Sequence, residues 1–279
     1  MGPQTVPGAA QALLDAAASR GVHDVQDTSA AAVTALPSDL HGSADSNSPV
    51  TQRVSFACGP TLAGEAHLQL LGPHQLRNCE AALAVLHAMH MGPPCELRRH
   101  LAGTANWNIT AGAIAQGLSA ATLPGRFQVL HPPQNGPPRP LVVVDGAHSP
   151  AAARAFVDTL RHLRWHHHHR PLLLVLAAAA DKDLRGMAVH LAELAPEMCI
   201  ATTVPVAGAR VRAAALGEIA AAWGAACAVA GAPAGRVEEQ ADLTASLRRA
   251  CDVAGPQGLV CVTGSLHLAF QAARLLQRH

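Results

Sequence analysis

The sequence has no tyrosine and only three tryptophans and four phenylalanines in 279 residues. A core so poor in aromatics has to be filled by Ala, Leu and Val, and aliphatic packing of that kind suits layered α/β folds. Lysine is nearly absent as well: of twenty basic residues nineteen are Arg, and Lys182 stands alone in Asp181-Lys182-Asp183. The formal net charge of +1 gives no reason to expect a nucleic acid or an anionic membrane as partner. No apolar run approaches the ~20 residues needed to span a bilayer, and no charged-then-apolar signal pattern opens the chain. The expected setting is soluble and intracellular, in the cytoplasm or an organelle. The seven cysteines are scattered without a Cys-x-x-Cys pair, which reads as reduced buried thiols and not a disulfide frame.

Three catalytic signatures are missing too. Nothing matches the phosphate-cradling Gly-x-x-x-x-Gly-Lys-Ser/Thr loop, a Gly-x-Ser-x-Gly elbow or His-Glu-x-x-His. The run His166-His167-His168-His169 invites a metal reading. Consecutive histidines point in different directions, however, so a tolerated low-complexity insertion is the expectation.

What is present changes character along the chain. Helix-favouring Ala9–Ser19 comes first, and His23–Gln26 could form a short strand. A Ser/Ala/Pro/Asp-rich connector follows over Thr28–Pro49, with residues 38–48 expected to be flexible. Thr51–Phe56 and Glu65–Leu71 alternate as an edge hairpin would. A helix is expected over Leu76–His90, with Ala82, Leu83, Val85, Leu86 and Met89 as its apolar stripe, and another over Ile109–Ala120. Thr122–Arg126 reads as a linker. From Phe127 onward strands and helices alternate, with strands at 127–130, 141–144, 172–176, 198–202, 227–229 and 259–263. The helices between and after them are expected at 151–163, 184–195, 213–224, 240–253 and 266–277. This spacing predicts an α/β fold, a Rossmann-like, mostly parallel sheet with helices on both faces. Two domains are expected, 1–122 and 123–279.

The organising stretch is Leu141-Val142-Val143-Val144-Asp145-Gly146-Ala147-His148-Ser149-Pro150. Four apolar residues read as a strand buried on both faces, followed by a tight polar turn. Ser149 is a good N-cap and Pro150 suits a first helical turn. In open parallel sheets ligands bind at such a corner, and a helix start favours an anion. Asp181-Lys182-Asp183, Thr202-Thr203 and Thr263-Gly264-Ser265 would lie on the same rim. One such turn is ordinary turn chemistry; four at one edge suggest a site. Asp145 could accept hydrogen bonds from ribose hydroxyls, His148 could bind a carboxylate, and Arg126 could hold phosphates with its planar fork. Ser265 is most simply an N-cap whose geometry would also receive a carboxylate.

These residues, in this order, resemble the C-terminal portion of folylpolyglutamate synthase / dihydrofolate synthase, members of the Mur ligase superfamily. Gly72-Pro73-His74-Gln75-Leu76-Arg77-Asn78 is similar to that family's Gly-x-His-Gln/Asn-x-x-Asn segment, and Ile109-Thr110 through Pro124-Gly125-Arg126-Phe127-Gln128-Val129-Leu130 to its interdomain linker. Asp145–Pro150 is similar to its Asp-Gly-Ala-His-Asn-Pro signature, with Ser149 in place of Asn. Asp181-Lys182-Asp183 and Thr263-Gly264-Ser265-Leu266 resemble its later strand ends, and Thr5-Val6-Pro7 with the following helix a piece of its central domain. The resemblance implies a Mur ligase C-terminal domain preceded by part of a central domain. It implies a ligase that uses ATP and Mg²⁺ to join glutamate to a folate carboxylate through an acyl phosphate. Asn78, Arg126 and Asp145 would contact ATP, with Arg126 on the phosphates and Asp145 on the ribose. His148 and Ser265 would hold glutamate, with Lys182 a weaker candidate. The family's P-loop and Mg²⁺ ligands would lie before Met1, in an N-terminal half not found in this sequence, so this chain alone is expected not to turn over. The alternatives are a non-catalytic Mur-ligase-type C-terminal domain that binds nucleotide or a partner protein, and a superfamily member joining a different amino acid to a different carboxylate.

Overall fold

The computed structural model describes residues 8–22, 25, 28–36, 49–91, 109–132, 138–163, 170–204, 212–231 and 236–277. The segment expected to be flexible, Thr5-Val6-Pro7, the short strand at 23–26 (save Val25) and the four histidines lie outside the described residues. The described chain forms two compact units, divided between Ala121 and Thr122, with Pro49 and Val50 grouped with the second.

The first unit holds helix α1 (Ala9–Ala18), strands β1 (Ala31–Ala35), β2 (Gln52–Cys58) and β3 (Leu62–Leu68), and helices α2 (Pro73–Met91) and α3 (Ala111–Ala120). The strands make an antiparallel sheet in the order β1-β2-β3. Strict alternation along β2 turns Gln52, Val54, Phe56 and Cys58 inward. That face packs with Cys79 and Leu83 of α2 and Ile114 of α3. The hairpin expected from the alternation is therefore present, but β2 is the central strand, because β1 occupies its other side. The buried stripe of α2 also differs from expectation. Leu76, Cys79, Leu83 and Leu86 face the core at helical spacing, while Ala82 is exposed and Val85 is 59% exposed. Thr110 caps α3 by accepting the Ala113 N–H at 3.1 Å.

The second unit runs β4 (Gln128–Leu130), β5 (Leu141–Val144), α4 (Pro150–His162), β6 (Leu172–Leu176), α5 (Leu184–Ala192), β7 (Met198–Ala201), α6 (Leu216–Ala230), β8 (Arg236–Glu239), α7 (Leu243–Ala254), β9 (Leu259–Thr263) and α8 (Leu266–Gln277). Its sheet has the order β4-β5-β9-β6-β7-β8. Only β4 is antiparallel; β5, β9, β6, β7 and β8 are parallel. Every residue of β5, β6, β7 and β9 is buried, as a strand covered on both faces requires. Helices α7 and α8 pack on Val142, Val144, Val175, Val260 and Val262. The crossovers from β5 through β8 advance in one direction and share a hand, which places α4, α5 and α6 on the opposite face; there they bury Phe156, Leu160, Met187, Leu191 and Trp223. The chain then doubles back through α7 to insert β9 between β5 and β6. The helices after β5 and β9, neighbours in the sheet, thus leave toward opposite faces, which makes their carboxyl ends a topological switch point, the place where open sheets of this kind bind ligands.

Two strands depart from the sequence expectation: β1 lies within the expected connector Thr28–Pro49, where a single buried residue, Val33, leaves no strand pattern, and one strand of the second unit is misplaced. Cys227–Val229 is not a strand but the last turn of α6, which runs to Ala230 and stops at Gly231 in the left-handed conformation (φ 60°). The strand in that position of the sheet is the polar, largely exposed β8, Arg236–Glu239.

Candidate functional site

The carboxyl end of β5 is built from the hydrogen bonds that its neighbours lend it. Asp145 N–H donates to Val262 O at 2.9 Å, extending the β5–β9 ladder by one residue. The next N–H, of Gly146, turns away and donates to Gly125 O at 2.7 Å. Gly146 needs its missing side chain here: a Cβ would overlap Leu266 of α8. Ser149 then caps α4, its Oγ accepting the Ala152 N–H at 3.3 Å, with Pro150 in the first turn. The arrangement is the strand, turn and capped helix expected from Val142–Pro150.

The Asp145 side chain points back into this frame. One carboxylate oxygen accepts the Ala147 N–H at 2.7 Å and the other the Phe127 N–H at 2.7 Å. The residue is 8% exposed. Burial pushes its carboxyl above the ordinary carboxylate range; the two backbone N–H groups and the charges of Arg126 and His148 oppose this without reversing it.

Phe127 has φ 43°, one of two positive-φ non-glycine residues among those described. An L-residue held there costs roughly 1–2 kcal/mol. A charge-assisted hydrogen bond of ~1.5–3 kcal/mol from its N–H to Asp145 offsets that cost, as does burial of its ring against Phe156 at a centroid distance of 5.5 Å. Arg126 sits between the two fixed residues Gly125 and Phe127. It is half-buried, and its guanidinium makes no ion pair or hydrogen bond among the described residues.

His148 is half-exposed, and its Nδ1 lies 2.9 Å from Gly146 O. A carbonyl only accepts, so Nδ1 carries the proton and Nε2 is the atom left for a ligand. Ser265 opens α8, where its Oγ accepts the His267 N–H at 3.2 Å. The residue before it, Gly264, has φ 110° and approaches Ala177 so closely that a Cβ would overlap its carbonyl oxygen. Thr263, ending β9, is wholly buried, and its Oγ1 has no hydrogen-bond partner among the described residues. Lys182 pairs with Asp181 at 3.1 Å, both partly exposed, and Asp183 caps α5 through the Gly186 N–H at 2.8 Å.

Arg126, Asp145, His148, Lys182 and Ser265 thus all belong to the carboxyl rim of the second unit. Thr202-Thr203 is on that rim for structural reasons: Thr202 is fully buried and accepts from Ser246 Oγ at 3.0 Å, while Thr203 Oγ1 donates to Ala241 O at 3.3 Å. Asn78 lies in the first unit, exposed on α2, and its Nδ2 donates to Gln75 Oε1 at 2.9 Å. Phe127 is the participant that sequence reasoning misses. Its only signal is the Pro-Gly ahead of it, since a buried phenylalanine at positive φ leaves no mark on a sequence.

This fold and rim define the class of protein. Residues 125–266 match the family model described as Mur ligase, glutamate ligase domain, and the chain belongs to that family. Proteins similar to it include folylpolyglutamate synthases. A curated protein of Halobacterium salinarum, named as a probable bifunctional folylpolyglutamate synthase/dihydropteroate synthase, is 37% identical over 93 residues, which cover 33% of this chain and 9% of that protein. The structure of Mycobacterium tuberculosis folylpolyglutamate synthase complexed with ADP and AMPPCP aligns over 100% of this chain and 55% of its own, with a TM-score of 0.70 and 24% identity. A bifunctional folylpolyglutamate synthase/dihydrofolate synthase with Mn, AMPPNP and L-glutamate bound aligns over 96% and 51%, with a TM-score of 0.61 and 23% identity. The chain therefore spans about half the length of these solved structures, and at these identities the likeness is one of fold. Among the described residues no helix is long and apolar enough to cross a membrane.

Proposed function

We propose that this chain is the glutamate-ligase portion, with part of the central domain in residues 1–122, of a folylpolyglutamate synthase-like enzyme. In that reaction ATP phosphorylates a folate carboxylate, ADP leaves, and the glutamate amine then displaces phosphate from the acyl phosphate to form an amide. The observation that carries the reading is the unpaired, half-buried Arg126 beside the Asp145–Pro150 turn, at the switch point of a sheet matched to the glutamate ligase family. Arg126 would hold nucleotide phosphates with its planar fork, and the remaining surface of Asp145 would accept or donate at the nucleoside. Those groups fit an anionic, hydroxyl-bearing ligand.

His148 would bind a glutamate carboxylate through Nε2, which donates only when the ring is charged. Ser265 and the first turn of α8 would add a hydroxyl and a helix start, and Lys182 a second cation. Mg²⁺ would travel with the triphosphate and screen its charge; no group of three or more His, Cys, Asp or Glu among the described residues is arranged to hold a metal.

Because a phosphoryl transfer requires the triphosphate to be clamped and its charge neutralised, and the sequence contains no P-loop motif, the chain alone should bind without turning over. The test is a ligation assay with ATP, Mg²⁺, tetrahydrofolate and glutamate, run beside glutamate binding to wild type and His148→Ala. Binding of glutamate in preference to other amino acids, lost in His148→Ala, with no amide product, is the expected result. Equal binding of unrelated amino acids sinks the glutamate assignment, and turnover by the chain alone sinks the expectation of inactivity.

A further inference from the structure

We propose that Asp145 is a positioning residue whose carboxylate clips the Gly125-Arg126-Phe127 turn to the end of β5 and so aims Arg126 at the ligand. This deepens the reading of Arg126 as the phosphate contact and rests on it.

Four observations converge on the clip. Both carboxylate oxygens are engaged by backbone N–H groups at 2.7 Å, one on each side of the β5 end. The N–H on the far side belongs to Phe127, which has φ 43°, a conformation that a phenylalanine does not hold without outside contacts. A second, independent bond between the same two segments, Gly146 N–H to Gly125 O at 2.7 Å, brackets Arg126 from its other side. The Phe127 ring is anchored 5.5 Å from Phe156 of α4. Arg126 is thus the one residue of the turn whose side chain is left for other duty, while the backbone on both sides of it is fixed. An aspartate with 8% of its surface exposed has little of itself to offer a ribose. Its larger effect on ligand binding should pass through the arginine, since a long side chain on a fixed backbone loses less freedom when it binds.

The experiment separates the two routes with a ligand that has no ribose. Tripolyphosphate and ATP are titrated into wild type, Asp145→Asn, Arg126→Ala and the double variant. Asp145→Asn presents an NH₂ to one of the two N–H donors and breaks that half of the clip. The clip requires Asp145→Asn to weaken tripolyphosphate about tenfold or more, as strongly as it weakens ATP, and the double variant to be no weaker than Arg126→Ala. A loss confined to ATP assigns Asp145 to the ribose and overturns the clip, as does a double variant in which the two losses add. If Arg126→Ala leaves tripolyphosphate binding unchanged, or wild type does not bind it, the phosphate reading of Arg126 fails. The clip is then judged by a ligand-free measurement on wild type, which also serves if Asp145→Asn does not fold. As pH is varied, the Phe127 and Ala147 amide resonances should titrate with one midpoint, that of the Asp145 carboxyl carbon, Arg126 and His148 being the charged groups that face it. Phe127 titrating independently of Asp145 overturns the clip.

Discussion

Gly264→Ala is the substitution whose cost the fold states most directly. Gly264 has φ 110°, where an L-residue is strained by about 1–3 kcal/mol. An added Cβ would overlap Ala177 O and stand 2.8 Å from Leu176 Cδ1. These atoms cannot withdraw cheaply, because Leu176 ends the central strand β6 and Ala177, the next residue, stays tied to the sheet by donating its N–H to Thr263 O at 3.3 Å. Forcing them apart adds an overpacking cost of about 1–3 kcal/mol. The sum, roughly 2–6 kcal/mol, is a large share of a typical domain's 5–15 kcal/mol and should lower Tm by at least about 4 °C. Gly224→Ala is the internal control. Gly224 is exposed within α6, with no positive φ and nothing within 4 Å of where a Cβ would stand, so alanine there should stabilise by ~0.5–1 kcal/mol. Urea unfolding of the three proteins by circular dichroism reads both. A loss below ~1 kcal/mol for Gly264→Ala, or the same sign for both variants, would refute the geometry of the β9–β6 junction.

Other consequences are smaller but as definite. Ser149→Ala removes the α4 cap and should cost about 1 kcal/mol, whereas Ser149→Asn, which caps equally well, should cost nothing measurable by thermal unfolding. Burial opposes ionisation of Glu193, but hydrogen bonds from His190 and Arg161 and the charges of Arg161 and Arg154 win, so its carboxyl is held below the ordinary glutamate range. A depressed folded pKa contributes stability above the unfolded value that is lost as pH falls through the folded one. Glu193→Gln should therefore be less stable than wild type at neutral pH, by under about 1 kcal/mol for so exposed a pair. The difference should vanish in acid; one that persists below that range contradicts the ion pair. In glutamate titrations His148→Ala should lose about tenfold and Lys182→Ala less, since Lys182 already has Asp181 at 3.1 Å as a competing partner; the reverse order would move the carboxylate site to the β6–α5 loop.

Much of the second unit can be read from sequence because its strands are buried on both faces and therefore appear as unbroken apolar runs. Leu141–Val144, Leu172–Leu176 and Leu259–Thr263 have the expected boundaries. The Ser149-Pro150 helix start is local chemistry and is equally legible. Expectation and structure diverge where burial and sequence pattern separate. Arg236–Glu239 is an edge strand, so nothing compels it to be apolar. Cys-Ala-Val at 227–229 is too short an apolar run to tell a strand from the end of a helix. β1, Ala-Ala-Val-Thr-Ala, has one buried residue, Val33, and reads as connector. At the site, the chemistry-bearing residues are visible as types, but not the division of labour between them. The bond from Ala147 N–H to Asp145 is local turn chemistry, but the bond from Phe127 N–H goes with the positive φ of Phe127, a tertiary fact.

The central claim is that Arg126 and the turn at Asp145 receive an ATP-type nucleotide. Amide shifts of the isotope-labelled chain, followed during titration with ATP and Mg²⁺, test it most directly. Saturable shifts concentrated at Gly125–Phe127 and Asp145–Ser149, and abolished in Arg126→Ala, are the predicted result. Shifts that centre elsewhere, that persist in Arg126→Ala, or that never develop would contradict it.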